Sequence, residues 1–237
     1  MTPVTDIAAN LSAVRGRIAA AAERAGRAAA DVTLVAVSKT FDDTHVRAAW
    51  AAGQRDFGEN KVQEGLQKIA ATSDIPGVRW HLIGHLQTNK ARKAAGSFAC
   101  VHSIDSIDLL GRLDTAAVEQ GTTLEALVQV DVAGETSKFG APAGEVDRIV
   151  RTALDARAVR LTGLMLIPPW SDDPEVTRPW FVRLRDLRDK LAATDIPAAA
   201  LRHLSMGMSH DFEAAVEEGA TIVRVGTAIF GARTGKT

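Results

Sequence analysis

At 237 residues, with 46% hydrophobic and 24% charged side chains, the chain has ordinary globular composition and enough length to bury a large core. Its 28 Lys+Arg against 29 Asp+Glu give a net charge of -1, which offers no electrostatic footprint for nucleic acid or an anionic membrane surface, since such binding needs clustered positive charge. A single cysteine excludes an intramolecular disulfide and a cysteine-based zinc site, and the absence of tyrosine removes that residue from every acid–base scheme.

The start of the chain lacks a basic segment followed by an apolar block, and no run approaches the length of a membrane span. The expectation is a cytoplasmic protein that meets neither membrane nor nucleic acid. Cys100, inside the apolar run Phe98 to Val101, reads as a small core residue.

Thr5 or Asp6 can cap a leading helix over about residues 5–25, whose apolar positions Ile7, Leu11, Val14 and Ile18 recur every three or four residues. Short β-branched runs then alternate with helical segments. The strands are predicted at Thr33 to Val37, Gln54 to Gly58, Val78 to Ile83, Phe98 to His102, Leu124 to Val132, Val159 to Met165, Leu201 to Ser205 and Thr221 to Val225. Helices are predicted at Asp43 to Ala52, Lys61 to Ala70, Thr88 to Ala95, Ser106 to Gln120, Ala143 to Leu154, Pro174 to Ala193 and Ser209 to Glu218. This alternation predicts an α/β fold, a (β/α)8 TIM barrel with an extra N-terminal helix, as one domain over residues 1–237. An open flavodoxin-like sheet is the alternative.

Barrels of this kind collect ligands at the C-terminal ends of their strands. There the first strand delivers Lys39, the second Glu59 and Asn60, the third Gly84 and His85, and the fourth His102 and Ser103. The fifth delivers the stretch Glu135 to Gly140, the sixth Met165, the seventh Ser205 to Gly207, and the eighth Arg224, Gly226 and Thr227. The last two ends form a candidate phosphate cradle, since glycines let backbone N–H groups approach an anion; tight turns alone are the bland reading of the same residues. Arg224 interrupts the apolar run Ile222 to Val225 and must find a partner, either a structural carboxylate or a ligand heteroatom. A lysine amine, a phosphate cradle and an arginine facing a heteroatom together match the aldehyde, phosphate and pyridine nitrogen of pyridoxal 5′-phosphate.

Other patterns are set aside. Gly231 to Thr237 resembles the end of a phosphate-binding P-loop, but Phe230 stands where the first glycine is required. His81 and His85 have the spacing of a metal pair on a helix, yet they fall at a strand end and read as core or rim histidines. Gly207 to Asp211 lacks the second glycine of a hydrolase elbow, so Ser209 reads as a helix N-cap.

Seven ordered motifs carry a resemblance: Leu34 to Thr40, Phe57 to Gln63, Trp80 to Lys90, Val101 to Asp105, Gly163 to Pro168, Leu204 to Ser209 and Val223 to Arg233. Together they resemble the pyridoxal-phosphate homeostasis protein family, itself related to the N-terminal barrel of alanine racemases. The resemblance implies a barrel like that of the fold-type III pyridoxal-phosphate enzymes, with Lys39 as Schiff-base lysine, Asn60 beside the ring and Met165 in the pocket wall. It implies Ser205 with Gly207 on one side of the phosphate, Gly226 with Thr227 on the other, and Arg224 at the pyridine nitrogen. It further implies a cofactor carrier with no catalytic residue and no metal, apo pyridoxal-phosphate enzymes being the partners such a carrier would supply. A low-activity racemase is the alternative. The related racemases use a tyrosine from a further domain as second base; this chain has no tyrosine, and the missing domain also makes a monomer the expectation.

Overall fold

The computed structural model describes residues 6–132, 134 and 139–232. The P-loop-like tail from Arg233 onward and the segment 135–138 of the fifth strand-end loop lie outside them. Nine strands are present among the described residues: β1 Thr33–Val37, β2 Asp56–Glu59, β3 Arg79–Leu82, β4 Cys100–Ile104, β5 Leu124–Asp131, β6 Ala141–Pro142, β7 Val159–Met165, β8 His203–Ser205 and β9 Ile222–Val225. The helices are α1 Ile7–Arg24, α2 Asp43–Ala51, α3 Val62–Ala71, α4 Ala91–Ala95, α5 Ile107–Gln120, α6 Val146–Leu154, α7 Pro174–Ala192, α8 Phe212–Glu217 and α9 Thr227–Phe230.

The strand order β4-β3-β2-β1-β9-β8-β7-β5, with β4 also paired to β5, closes eight parallel strands into a barrel. β6 is a two-residue bridge beside β5 outside that ring. Closure removes both sheet edges and rules out the open flavodoxin-like sheet. Parallel neighbours need a crossover between them, and the helices after each barrel strand supply it.

Side-chain alternation divides the strands' residues between two environments. Leu34, Phe57, Leu82, Val101 and Val223 join the large cluster shared with the helices, whereas Val35, Cys100, Leu127, Met165 and Ile222 form a separate inner cluster. His102 and Arg224 lie two residues beyond Cys100 and Ile222 and so share their inward face; both are buried. Burial pushes the Cys100 thiol above its usual range, as fits a core cysteine.

The last crossover is short, because α9 has only four residues. α1 fills the resulting gap in the outer ring, packing against α8, α9 and α2 through Leu11, Val14, Ile18 and Ala22. Its Asp6 carboxylate accepts the Ala9 N–H at 2.9 Å, and Asn10 ties it to the Ile229 carbonyl at 2.9 Å.

Strand boundaries moved where local hydrogen bonds compete. Gln54 precedes β2 instead of opening it, since its side-chain amide donates to the Leu34 and Asp56 carbonyls. A 3-10 turn over Ala198–Leu201 occupies the expected start of β8. The helix expected from Ser209 begins at Phe212, with Asp211 as its cap residue.

Gly163 marks the tightest approach in the wall: a Cβ there would come within 2.0 Å of the His203 carbonyl oxygen across the β7–β8 pairing. Gly163→Ala should therefore cost about 3 kcal/mol through forced backbone displacement, read as a fall in the urea midpoint. An unchanged midpoint would show that the β7–β8 seam has slack.

Candidate functional site

The strand register gathers the predicted site residues. Met165 pairs with Ser205 across β7 and β8, Ser205 with Ile222 across β8 and β9, Arg224 with Val35 across β9 and β1, and Val37 with Gly58 across β1 and β2. Lys39 follows β1 and Asn60 follows β2, so all eight residues lie on one contiguous arc of five strands at their C-terminal ends. A Cβ on Gly226 would meet the Val37 carbonyl oxygen at 3.3 Å, which brings the end of β9 against the end of β1 just before Lys39.

Arg224 is 3% exposed. Its Nη1 donates to Ser205 Oγ at 2.7 Å and its Nη2 to the Leu166 carbonyl at 2.8 Å. Among the described residues no carboxylate pairs with it, so the structural-carboxylate reading fails. Burial lowers its pKa to about 10, opposed by the Asp211 charge, and the guanidinium stays protonated at neutral pH. Ser205 is fully buried, and its hydroxyl is shared between Arg224 and His102 Nδ1, 2.9 Å away. Its side chain thus serves the arginine.

The two glycine loops meet through Ser209, whose Oγ accepts the Gly226 N–H at 3.1 Å. Ser209 is a clamp between loops and not the expected N-cap. Gly207 adopts φ +91, and a Cβ would sit 2.6 Å from Ala215 Cβ, so both backbone and space demand glycine. The Asp211 carboxylate accepts the Met208 N–H at 2.6 Å and braces the turn. The N–H groups of Gly207, Ser209 and Thr227 have no acceptor among the described residues. They form a cradle of donors suited to an anion.

A buried charge network underlies the Lys39 end of β1. Ser38 Oγ donates to Glu59 Oε1 at 2.6 Å, while Lys68 Nζ donates to that same oxygen at 2.7 Å, to the Ser38 carbonyl at 2.7 Å and to Glu64 Oε1 at 3.0 Å. Glu64 in turn accepts the Thr40 N–H at 2.5 Å, fixing Thr40 at φ 71, a costly value for a β-branched residue. Lys39 is therefore flanked by two residues locked to this network. Burial raises Glu59 above the usual carboxylate range against Lys68 and Ser38; at Glu64 burial is outweighed by the Thr40 N–H and Lys68, and its pKa falls. Sequence reasoning missed Lys68 and Glu64, which read as ordinary helix-surface residues.

At the β3 edge of this arc, Gly84 packs on the Asn60 backbone, where a Cβ would meet the carbonyl oxygen at 2.2 Å. His85 stacks on Phe139 at 3.7 Å, and Trp170 leans on His210 at 4.2 Å, giving the mouth two aromatic rims. His81, by contrast, is buried in the barrel interior. Of the two histidines read as core or rim, His81 is core and His85 is rim.

The alanine racemase N-terminal domain model matches residues 9–234. An Aquifex aeolicus protein named pyridoxal phosphate homeostasis protein is 43% identical over 223 residues, covering 94% of this chain and 96% of its own. The Escherichia coli K12 protein of the same name is 42% identical over 236 residues, covering 97% and 98%. The chain belongs to the pyridoxal phosphate homeostasis protein family. Among solved structures of similar proteins, PipY of Synechococcus elongatus PCC7942, described with PLP bound, is 38% identical with a TM-score of 0.85, covering 95% of this chain and 100% of that one. Alanine racemase from Streptomyces coelicolor, at 23% identity and a TM-score of 0.69, shares the fold, and the chain covers 59% of it.

Two predictions follow from the buried charges. Lys68→Met would strand the Glu59 carboxylate and should cost about 3 kcal/mol, less at acid pH where Glu59 takes up a proton; an unchanged melting temperature would count against the network. His102 is held neutral, well below its usual range, by burial and then by His81, Arg224 and His203. The unfolded ring binds a proton near pH 6.5, so the stability contributed is full above about pH 6.5 and is lost as pH falls below it. Urea unfolding should record a loss of up to about 1.4 kcal/mol per pH unit from this group, and a flat profile would mean the ring charges in the native state.

Proposed function

We propose that this barrel binds pyridoxal 5′-phosphate and acts in its intracellular homeostasis, holding and delivering the cofactor without turning over a substrate of its own. The observation that carries the reading is Arg224: a buried guanidinium with no carboxylate partner among the described residues, on the strand beside the one that ends at Lys39. A cation so placed calls for a polar acceptor in the pocket, and a pyridine nitrogen is one. The donor cradle of Gly207, Ser209 and Thr227 suits the phosphate, and Gly226 is held to it through Ser209. The names of the curated relatives and the PLP-bound PipY structure support the same reading.

Bound, the cofactor supplies an aldehyde for covalent attachment and a ring that withdraws electrons. Lys39 would offer the amine for that attachment, Asn60 and Met165 would lie beside the ring, and Arg224 would donate a hydrogen bond to the ring nitrogen while keeping its own proton. Ser205 acts through Arg224. Retention of a proton by arginine leaves the ring a weak electron sink, and the absence of tyrosine removes the second base that the alternative racemase reading relies on.

Adding PLP to the purified protein should produce a long-wavelength absorbance that Lys39→Ala abolishes. Steady racemisation of any single L-amino acid by the loaded protein would sink the carrier reading.

A further inference from the structure

A continuous line of hydrogen bonds crosses the barrel interior to Arg224. Arg224 Nη1 lies 2.7 Å from Ser205 Oγ, Ser205 Oγ lies 2.9 Å from His102 Nδ1, His102 Nε2 lies 3.0 Å from His81 Nδ1, and His81 Nε2 lies 2.9 Å from Asp56 Oδ1. The first four residues are buried. Asp56 opens β2 at the opposite end of the barrel from Lys39, where it also meets Arg79 Nε at 3.1 Å.

Both ends have a fixed polarity. A guanidinium only donates, and a carboxylate only accepts. One arrangement of protons then satisfies every link: Ser205 O–H donates to His102 Nδ1, His102 Nε2–H to His81 Nδ1, and His81 Nε2–H to Asp56. Both imidazoles are neutral and carry hydrogen on Nε2. Protonating His81 would set its Nδ1–H against the Nε2–H of His102. Protonating His102 would leave the Ser205 hydrogen without an acceptor. The charged and titratable groups around the line include Arg224, Arg79, Glu125, Cys100, Asp211 and His203; burial, with His81, Arg224 and His203, holds His102 well below its usual range.

His81, Cys100 and His102 have ligand-type atoms within 4.8 Å of one another. All four ring nitrogens are already engaged, so these histidines serve the hydrogen-bonded line and not a metal.

We propose that Asp56, His81, His102 and Ser205 form a one-directional relay that positions Arg224 for the cofactor's ring nitrogen, with the distant Asp56 carboxylate fixing the tautomers of both histidines. The cofactor arm of this proposal rests on the reading of the site as a pyridoxal-phosphate pocket; the tautomer arm does not.

Nitrogen NMR of isotope-labelled histidines, on protein without cofactor, should find His81 and His102 both as the Nε2–H form. In Asp56→Leu both should switch to Nδ1–H, because His81 loses its acceptor. Ser205 Oγ then accepts from both Arg224 and His102 while its own hydrogen loses its acceptor, so Arg224 is held less firmly and bound PLP should dissociate about fivefold faster, the size of one ordinary net hydrogen bond. Asp56→Asn keeps an acceptor oxygen and should restore both tautomers and the wild-type release rate. An Nδ1–H form of His102 in the wild type, or wild-type tautomers and release in Asp56→Leu, would overturn the relay. A merely structural Asp56 would lower the melting temperature and move neither readout. Should Asp56→Leu fail to fold, the wild-type tautomers still decide, together with Ser205→Ala, which should hasten release while leaving both tautomers in place. A wild type that takes up no PLP would defeat the reading of the pocket and leave the NMR result standing.

Discussion

Among the described residues two cations are deeply buried, Lys68 and Arg224, and the barrel treats them in opposite ways. Lys68 meets two carboxylates, Glu59 and Glu64, and its charge is cancelled within the fold. Arg224 meets a hydroxyl and a backbone carbonyl, which satisfy its N–H groups without cancelling its charge. Burial of an uncompensated guanidinium is expensive, and its pKa falls accordingly, yet not far enough to lose the proton at neutral pH. A carboxylate in place of Ser205 would be the cheaper solution for stability. The neutral partners keep the arginine's positive field available to whatever occupies the pocket.

Much else follows from that choice. A hydroxyl that accepts from Arg224 must pass its own hydrogen on, and inside a closed barrel the acceptor has to be another side chain. His102 takes it, His81 takes the next, and Asp56 ends the sequence where the barrel opens to water. The Gly226 and Gly207 loops are bound to the same strands, β9 and β8, so the donor cradle and the arginine are held as one unit: the Arg224 N–H itself bonds the Gly207 carbonyl at 3.0 Å. Met165 and Ile222, in the inner apolar cluster, keep water out beneath it.

The parts legible in the sequence were those that break a local pattern. Lys39 ends an apolar run, Arg224 interrupts one, and Gly207 and Gly226 stand at strand ends; eight alternating runs also made the barrel readable. Ser209 was expected to cap a helix and instead joins the two loops, and the inward direction that commits the Ser205 hydroxyl to Arg224 cannot be read from a serine at a strand end. The relay was hidden for a stronger reason: Asp56, His81 and His102 lie on three strands and share an interior only after closure. Lys68 has the spacing of a helix face, and nothing local announces that this face lies against Ser38 and Glu59.

The same geometry bears on why such a pocket would hold a cofactor more than use it. An aspartate at the ring nitrogen would share a proton with it and draw electrons into the ring; an arginine that keeps its proton does so weakly. The relay reinforces this, since every hydrogen in it points away from Arg224 and toward Asp56, so it offers the arginine and the ring no proton. Lys39, flanked by Ser38 and Thr40 in a locked turn, is held at the junction of β1 and its loop, and a strained residue beside an attachment point favours one fixed position over a moving base. If the pocket holds pyridoxal phosphate as proposed, a lysine set between two residues locked to the Glu59–Lys68–Glu64 network and a cation held by Ser205 and Leu166 favour retention over turnover, and the exposed Thr227 marks where the cradle meets solvent.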